Sequence, residues 1–184
     1  MKGLFFFVLI AFSSFSVSAQ KSEKINWLTV EEALKLNAEA PRKILIDVYT
    51  DWCGYCRIMD SETFNNPIIA NYVNKHFYAI KFNAESFEPV NFAGHTFTNQ
   101  GTPGSRRSTH QFATAMGVNG YPTVVYFTSD LKIIGPIPNR EGIPRGFLKP
   151  DKMEPILHFV VEEMYTTLSL AQYEKTFVGE LKKK

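Results

Sequence analysis

Residues 44–57 read ILIDVYTDWCGYCR and contain both cysteines of the 184-residue chain. The stretch begins with apolar and β-branched residues broken by one acid, Asp47, which is typical of a strand buried on both faces. Residues 57–64 have a helical pattern, so Cys53 is predicted to lie at a strand-to-helix turn. The backbone N–H groups and the dipole of a helix N-terminus stabilise a thiolate there and lower its pKa. We therefore expect Cys53 to be exposed and reactive, and Cys56, one turn further on, to be more buried.

The N-terminal segment bears on what this cysteine pair is used for. Residues 1–19 combine a short positive start, an apolar run and a small-residue cleavage site before Gln20, which is the layout of a secretory signal peptide. The apolar run is too short for a membrane span, and no later segment approaches the required length. We therefore expect an exported mature protein without a transmembrane segment. An uncleaved anchor or a buried helix is the alternative.

Length and composition fit a single globular domain. The expected mature chain has about 165 residues, a single-domain length. Hydrophobic residues make up 45% of the whole chain, which is enough to build a core. A formal net charge of +2 gives no reason to expect nucleic acid as a partner.

A CxxC pair has three common uses. As a structural staple, a loop this short contributes roughly 2 kcal/mol, against nearly 5 kcal/mol for a loop of about 100 residues. As a zinc site, the pair lacks both a second CxxC and a His-x-x-x-His type of partner. The histidines are instead scattered along the chain, at His76, His95, His110 and His158. Redox chemistry is the favoured use, and we expect neither a metal nor a cofactor.

The segment resembles the active-site region of thioredoxin-like oxidoreductases, which share a strand, a Trp-Cys-x-x-Cys turn and a helix. The resemblance continues through Lys81 in YAIKFNAE and through Tyr121-Pro122 in GVNGYPTVVYF, and it spans roughly residues 27–165. It implies an α/β, thioredoxin-like fold: a central mixed β-sheet flanked by helices, here with a mid-chain insertion and a C-terminal helical extension.

The resemblance also implies catalytic roles. Cys53 would be the attacking thiolate and Cys56 the resolving thiol, and the two would form the redox disulfide. Asp47 matches a buried carboxylate behind the cysteines that accepts a proton from Cys56, and burial should raise its pKa. Lys81 matches the lysine that pairs with this carboxylate. The alternatives are a strand-end acid that reaches solvent and an exposed edge lysine.

A second set of residues is expected to contact substrate. Pro122 matches the cis-proline of the family, whose loop faces the thiols, and Tyr121 precedes it in place of the usual small aliphatic residue or threonine. Trp52 is expected to pack beside the cysteines. The dipeptide Gly54-Tyr55 differs from the Gly-Pro of thioredoxins and resembles that of periplasmic disulfide isomerases.

Local signals mark the start of two helices. Thr29 and Glu32 have the spacing of a capping box. Asn66 comes directly before Pro67, which suits the first turn of a helix.

Two segments depart from the family pattern. Residues 88–111 are longer than the corresponding part of a thioredoxin, so we expect an inserted loop or hairpin near the proline loop, and either Ser108 or Thr109 as the cap of the next helix. That insertion contacts substrate or is a plain surface excursion. A further helix is expected at about residues 170–181. The predicted organisation is a signal peptide at 1–19, a thioredoxin-like domain at 20–168 and a helical extension at 169–184.

These features together predict a periplasmic thiol–disulfide oxidoreductase. Its expected partners are protein thiols and disulfides and a membrane or periplasmic redox protein, and it is expected to be a monomer. The direction of electron flow stays open, so a disulfide isomerase or an oxidant is an alternative. A redox-inactive binding module with the same fold is the alternative from another class.

Overall fold

The structure is a computed structural model that describes residues 24–105, 108–135 and 146–181. The expected signal peptide lies outside these residues. Within the described ranges, no helix has both the length and the apolar character that crossing a membrane requires.

The strands form one mixed sheet and one small hairpin. The described strands are β1 (Trp27–Leu28), β2 (Lys43–Tyr49), β3 (Phe77–Asn83), β4 (Val90–Phe92), β5 (His95–Phe97), β6 (Thr123–Phe127) and β7 (Ile133–Gly135). Five of them form a sheet in the order β1-β3-β2-β6-β7, and β4 and β5 form a separate two-stranded sheet. β3 is parallel to β1 and β2, whereas β6 is antiparallel to β2 and β7. The predicted mixed sheet is therefore confirmed, with β2 at its centre.

Helices flank this sheet, also as predicted. They are α1 (Val30–Glu39), α2 (Gly54–Met59), α3 (Pro67–His76), α4 (Gln111–Ala115), α5 (Pro150–Val161) and α6 (Leu170–Thr176). A π-helical turn at Asp60–Phe64 continues α2. The two predicted caps are confirmed: Thr29 and Glu32 form a capping box on α1, and the Asn66 side chain accepts backbone hydrogen bonds at the start of α3.

Strand β2 divides the core into two layers. Ile44, Ile46 and Val48 pack in a cluster that includes residues of α1, α4 and the hairpin. Leu45 packs on the other side, among residues of α3 and α5. Since side chains alternate along a strand, Asp47 shares the face of Leu45. The alternation therefore buries a carboxyl group within the second layer.

Helix α4 starts differently from the prediction. Its cap is His110, which is fully buried and whose Nδ1 accepts a hydrogen bond from the N–H of Phe112 at 3.0 Å. The other ring nitrogen lies 3.1 Å from the carbonyl oxygen of Glu88, on the far side of the insertion. The cap is thus a buried imidazole that joins two segments, and neither Ser108 nor Thr109 serves this purpose.

The C-terminal helix is shorter than predicted. Helix α6 ends at Thr176, and the described residues beyond it are not helical. The buried carboxylate of Glu154 accepts the N–H groups of Glu180 at 2.6 Å and Leu181 at 2.9 Å, which holds this segment in a non-helical path. The division of the chain at residues 19 and 168 stays a prediction.

Candidate active site

The two cysteines form a disulfide at the start of α2. Cys53 is the N-cap residue of that helix, and its Sγ accepts a hydrogen bond from the N–H of Cys56 at 3.1 Å. Both side chains are buried, with 5% of Cys53 and 2% of Cys56 exposed. The expectation of an exposed Cys53 is therefore wrong for this oxidised state, because its sulfur turns inward over the first helical turn to reach Cys56.

The buried acid of β2 pairs with a lysine of the neighbouring strand. Asp47 and Lys81 are directly opposite each other in the β2–β3 register, and the Lys81 Nζ lies 2.6 Å from Asp47 Oδ2. Burial raises the pKa of Asp47 to about 6, against the opposing influence of the Lys81 charge. The other carboxyl oxygen, Oδ1, has no hydrogen-bond partner among the residues that the structure describes. A buried carboxylate with one unbonded oxygen loses hydration energy without compensation when it is ionised. This agrees with a carboxyl group that holds its proton up to about pH 6.

A second carboxylate, which the sequence analysis missed, completes this ion-pair network. Lys81 also donates to Asp60 Oδ1, and the Asp60 side chain is 42% exposed. Burial disfavours the ammonium form of Lys81, but the two carboxylates more than offset this and raise its pKa. One signal could have revealed Asp60: it stands at i+4 from Cys56, so the two share one face of the helical segment. The network therefore links the buried Asp47 to water on the helix face that carries Cys56.

Aromatic rings surround the Lys81 ammonium group between the two carboxylates. Its Nζ lies 5.0 Å from the ring centre of Trp27, 5.2 Å from that of Tyr49 and 5.5 Å from that of Phe64. Cation–π contacts at such distances stabilise a partly desolvated cation. A cavity of about 280 Å³ borders both Lys81 and Asp60.

Two of the expected substrate-contacting residues, Trp52 and Tyr121, contact each other. The Tyr121–Pro122 peptide bond is cis. The rings of Trp52 and Tyr121 make an edge-to-face contact with centres 6.0 Å apart, which joins the cysteine turn to the proline loop. Tyr55 is 64% exposed, and Gly54 has open space around its Cα. Their roles in binding substrate remain predictions.

Across residues 24–105, 108–135 and 146–181, no three His, Cys, Asp or Glu side chains are grouped so as to hold a metal ion.

Comparisons with known proteins found a matching family model, a relative of similar sequence and solved structures of similar fold. A family model described as a thioredoxin-like domain matches residues 30–160. A thiol:disulfide interchange protein, DsbD of Pectobacterium atrosepticum, is 23% identical over 113 residues, which cover 60% of this chain and 16% of that protein. A thioredoxin-fold protein from Helicobacter pylori has a TM-score of 0.54 at 18% identity, covering 73% of this chain and 83% of that chain. A thioredoxin from Thermus thermophilus has a TM-score of 0.50 at 17% identity, covering 75% of this chain and 88% of that chain. At these identities the structural likeness shows the fold alone.

Proposed function

The chain belongs to the thioredoxin-like domain family, and on that premise we propose that it is a thiol–disulfide oxidoreductase that exchanges disulfides with exported proteins through Cys53 and Cys56. The observation that carries this proposal is the Cys53–Cys56 disulfide at the N-terminus of α2, directly after the central strand. A staple at this sequence separation would contribute little stability, whereas a dithiol at a helix N-terminus is suited to exchange.

In the reducing direction the reaction has two steps. The thiolate of reduced Cys53 attacks one sulfur of a substrate disulfide, which forms a mixed disulfide and releases the first substrate thiolate. Cys56 then loses its proton, attacks Cys53 Sγ and releases the second substrate thiolate. The substrate gains two electrons and leaves as two thiolates, which take up one proton equivalent to that lost by Cys56 and one from water, and the protein ends with the Cys53–Cys56 disulfide. An external dithiol or a redox protein returns it to the dithiol form.

Different groups serve the two cysteines. The N–H of Cys56 already points at Cys53 Sγ, so a donor is in place for the Cys53 thiolate. We assign Asp47 as the acceptor of the Cys56 proton, because a carboxyl group with a pKa of about 6 can both accept and release a proton near neutral pH. Lys81 would then hold Asp47 in place. This assignment of roles rests on the family resemblance and on the ion-pair network.

The setting of the reaction follows from the N-terminal sequence. A signal peptide at residues 1–19 would send the chain to the periplasm, where its substrates would be exported proteins and its partner a membrane or periplasmic redox protein. The relative from Pectobacterium atrosepticum is named for thiol:disulfide interchange. We propose a monomer that needs no metal or cofactor, since the cysteine pair itself carries the electrons.

A trapping experiment tests this function. The reduced Cys56→Ala variant should attack a disulfide-linked model protein and remain attached to it through Cys53, because no second thiol can release the complex. A reductant should free both proteins, and the Cys53→Ala/Cys56→Ala double variant should trap nothing. Wild-type protein should also accelerate reduction of the model protein by an external dithiol.

The same proteins distinguish the proposed enzyme from a binding module, and a reductase from an isomerase or an oxidant. If Cys56→Ala traps nothing and wild-type protein gives no acceleration, the chain is a binding module and not an enzyme. If the trapping succeeds, the reduction potential of the Cys53–Cys56 pair distinguishes a reductase from an isomerase or an oxidant.

A further inference from the structure

A buried hydroxyl group lies in the turn between β2 and the disulfide. Thr50 is the first residue after β2, and its carbonyl oxygen accepts the N–H of Cys53 at 3.0 Å. This bond closes a four-residue turn, and the Cα atoms at the two ends of such a turn lie within about 7 Å of each other. The side chains of Thr50 and Cys53 are both buried. The Thr50 hydroxyl therefore lies in the protein interior, next to the residue that is proposed to attack the substrate.

This hydroxyl has no hydrogen-bond partner in the disulfide form of the protein. In the part of the chain that the structure describes, two buried side-chain atoms lack such a partner, Asp47 Oδ1 and Thr50 Oγ1. Both belong to the short segment that leads from the centre of β2 to Cys53. Buried polar groups are normally bonded, and an unbonded one destabilises the state that contains it. The oxidised protein is thus destabilised at a hydroxyl close to its disulfide.

Reduction of the disulfide creates an acceptor for this hydroxyl. When an external dithiol reduces the pair, the S–S bond breaks and the dithiol becomes a disulfide. Cys56 then carries a thiol, whereas Cys53 carries a thiolate and one proton passes to water. A thiolate accepts charge-assisted hydrogen bonds, which are roughly twice as strong as neutral ones. Because the hydrogen of a threonine hydroxyl can rotate toward a new acceptor, Thr50 can gain in the reduced protein the bond that it lacks in the oxidised protein.

We propose that the Thr50 hydroxyl donates a hydrogen bond to the Cys53 thiolate in the reduced protein and thereby raises the reduction potential of the cysteine pair. The bond would stabilise the dithiol form, while the unbonded hydroxyl destabilises the disulfide form. It would add a side-chain donor to the N–H of Cys56, which already points at the same sulfur. The proposal rests on the proposed function and concerns its direction, because a higher potential favours the oxidation of protein thiols.

Matched variants separate the hydroxyl from the rest of the side chain. Thr50→Val removes the hydroxyl at nearly constant shape, whereas Thr50→Ser keeps it. The control is Thr63→Val in the π-helical turn that continues α2. Thr63 is also a buried threonine, but its hydroxyl donates to the carbonyl oxygen of Leu148 in the disulfide form. Loss of that bond should destabilise both redox forms alike and leave the balance between them unchanged.

Two measurements test the proposal. The first is the equilibrium constant of the cysteine pair with glutathione at neutral pH, read from the oxidised fraction after acid quenching and alkylation. Thr50→Val should shift this constant toward the disulfide by about tenfold, which is a fall of about 30 mV in reduction potential. The second is the pKa of Cys53, read from thiolate absorbance in a Cys56→Ala background, where Cys53 is the one remaining cysteine. Thr50→Val should raise that pKa, because the thiolate loses a donor. Thr50→Ser and Thr63→Val should keep both wild-type values.

The outcomes separate this inference from the function on which it rests. If the wild-type cysteine pair does not exchange with glutathione, the proposed function fails, and the inference fails with it. If the pair exchanges but Thr50→Val leaves the equilibrium constant unchanged, only the inference is overturned, whatever happens to the melting temperature. A shifted equilibrium constant with an unchanged pKa of Cys53 would also overturn it, because the hydroxyl would then act on the disulfide form alone.

Discussion

Replacing Asp47 by asparagine should stabilise the oxidised protein, and by an amount that grows with pH. Burial raises the pKa of Asp47 from 3.8 to about 6, so folding favours its neutral form. A group whose pKa is raised by folding contributes stability that is present in full below about pH 4 and is lost as the pH rises through about 6. A shift of about two pKa units corresponds to roughly 3 kcal/mol. An asparagine side chain cannot ionise, so the Asp47→Asn variant escapes this loss.

The ion pair that is removed should change this result little. Lys81 loses its partner at 2.6 Å but keeps Asp60 and remains partly exposed, so no unpaired buried charge is created. We therefore expect the variant to match wild-type protein within about 1 kcal/mol near pH 4 and to exceed it by about 2–3 kcal/mol near pH 8.

Urea unfolding of both oxidised proteins, at intervals between about pH 4 and pH 8, measures the difference. The control is Glu39→Gln, which removes one exposed carboxylate at the end of α1 and measures what the loss of a surface charge alone does to the free energy of unfolding. A difference between Asp47→Asn and wild type that does not change with pH, or a wild-type protein that is the more stable at pH 8, would show that burial does not dominate the ionisation of Asp47.

Three further predictions concern neighbouring groups. Asp60→Asn removes a negative charge that raises the pKa of Asp47, so the pH at which the ionisation of Asp47 destabilises the protein should move to a lower value. If the same urea series shows this pH unchanged, the charge of Asp60 does not influence Asp47. Burial lowers the pKa of His110, so the contribution of the neutral ring to stability is present above about pH 6.5 and is lost as the pH falls below that value. In the Asp47→Asn background, His110→Asn should therefore remove this loss of stability in acid. Equal acid sensitivity of the proteins with and without His110 would refute the role of the neutral ring. In the reduced protein, an alkylating reagent should label Cys53 before Cys56, and peptide mapping that shows equal labelling would reverse the assigned roles.

Local patterns in the sequence predicted the elements that local interactions determine. The buried run before Cys53 predicted β2, and the side chains of Thr29 and Asn66 predicted two helix starts, because a cap needs only residues of its own turn. The mixed character of the sheet came from the family resemblance instead, since strand order depends on pairing between distant segments.

The incorrect predictions have tertiary causes. Apolar spacing continues past Thr176, but the carboxylate of Glu154 in α5 takes two backbone N–H groups that a longer helix would have kept. Gly179 permits this approach, because a Cβ there would lie 2.5 Å from the Glu154 carboxylate. His110 likewise caps α4 because its ring also contacts the backbone of Glu88, which the sequence alone does not bring near.

The sequence predicted the cysteine pair of the candidate site but only part of the ion-pair network near it. The burial of Asp47 was predicted from the strand pattern and the family resemblance, and its pairing with Lys81 from the resemblance alone, because that pairing depends on the β2–β3 register. The catalytic roles of Cys53, Cys56 and Asp47 stay predictions. Asp60 was missed although it lies one turn beyond Cys56, because a single acid on a short helix has many uses. Its significance appears only with Lys81 beside it.

The ion-pair network indicates which step of the reaction should depend on Asp60. The Asp47 side chain is 1% exposed, so bulk water reaches it poorly, whereas Asp60 is 42% exposed and shares Lys81 with it. Lys81 stays protonated and cannot accept a proton, so Asp60 acts on Asp47 through its charge, which raises the pKa of Asp47 and favours transfer of the Cys56 proton to it. The first attack needs no such transfer, since the Cys53 thiolate is held by a backbone N–H. On this hypothesis Asp60→Asn slows the release of the mixed disulfide and spares its formation, and equal slowing of both steps in rapid-mixing experiments would exclude this role of Asp60.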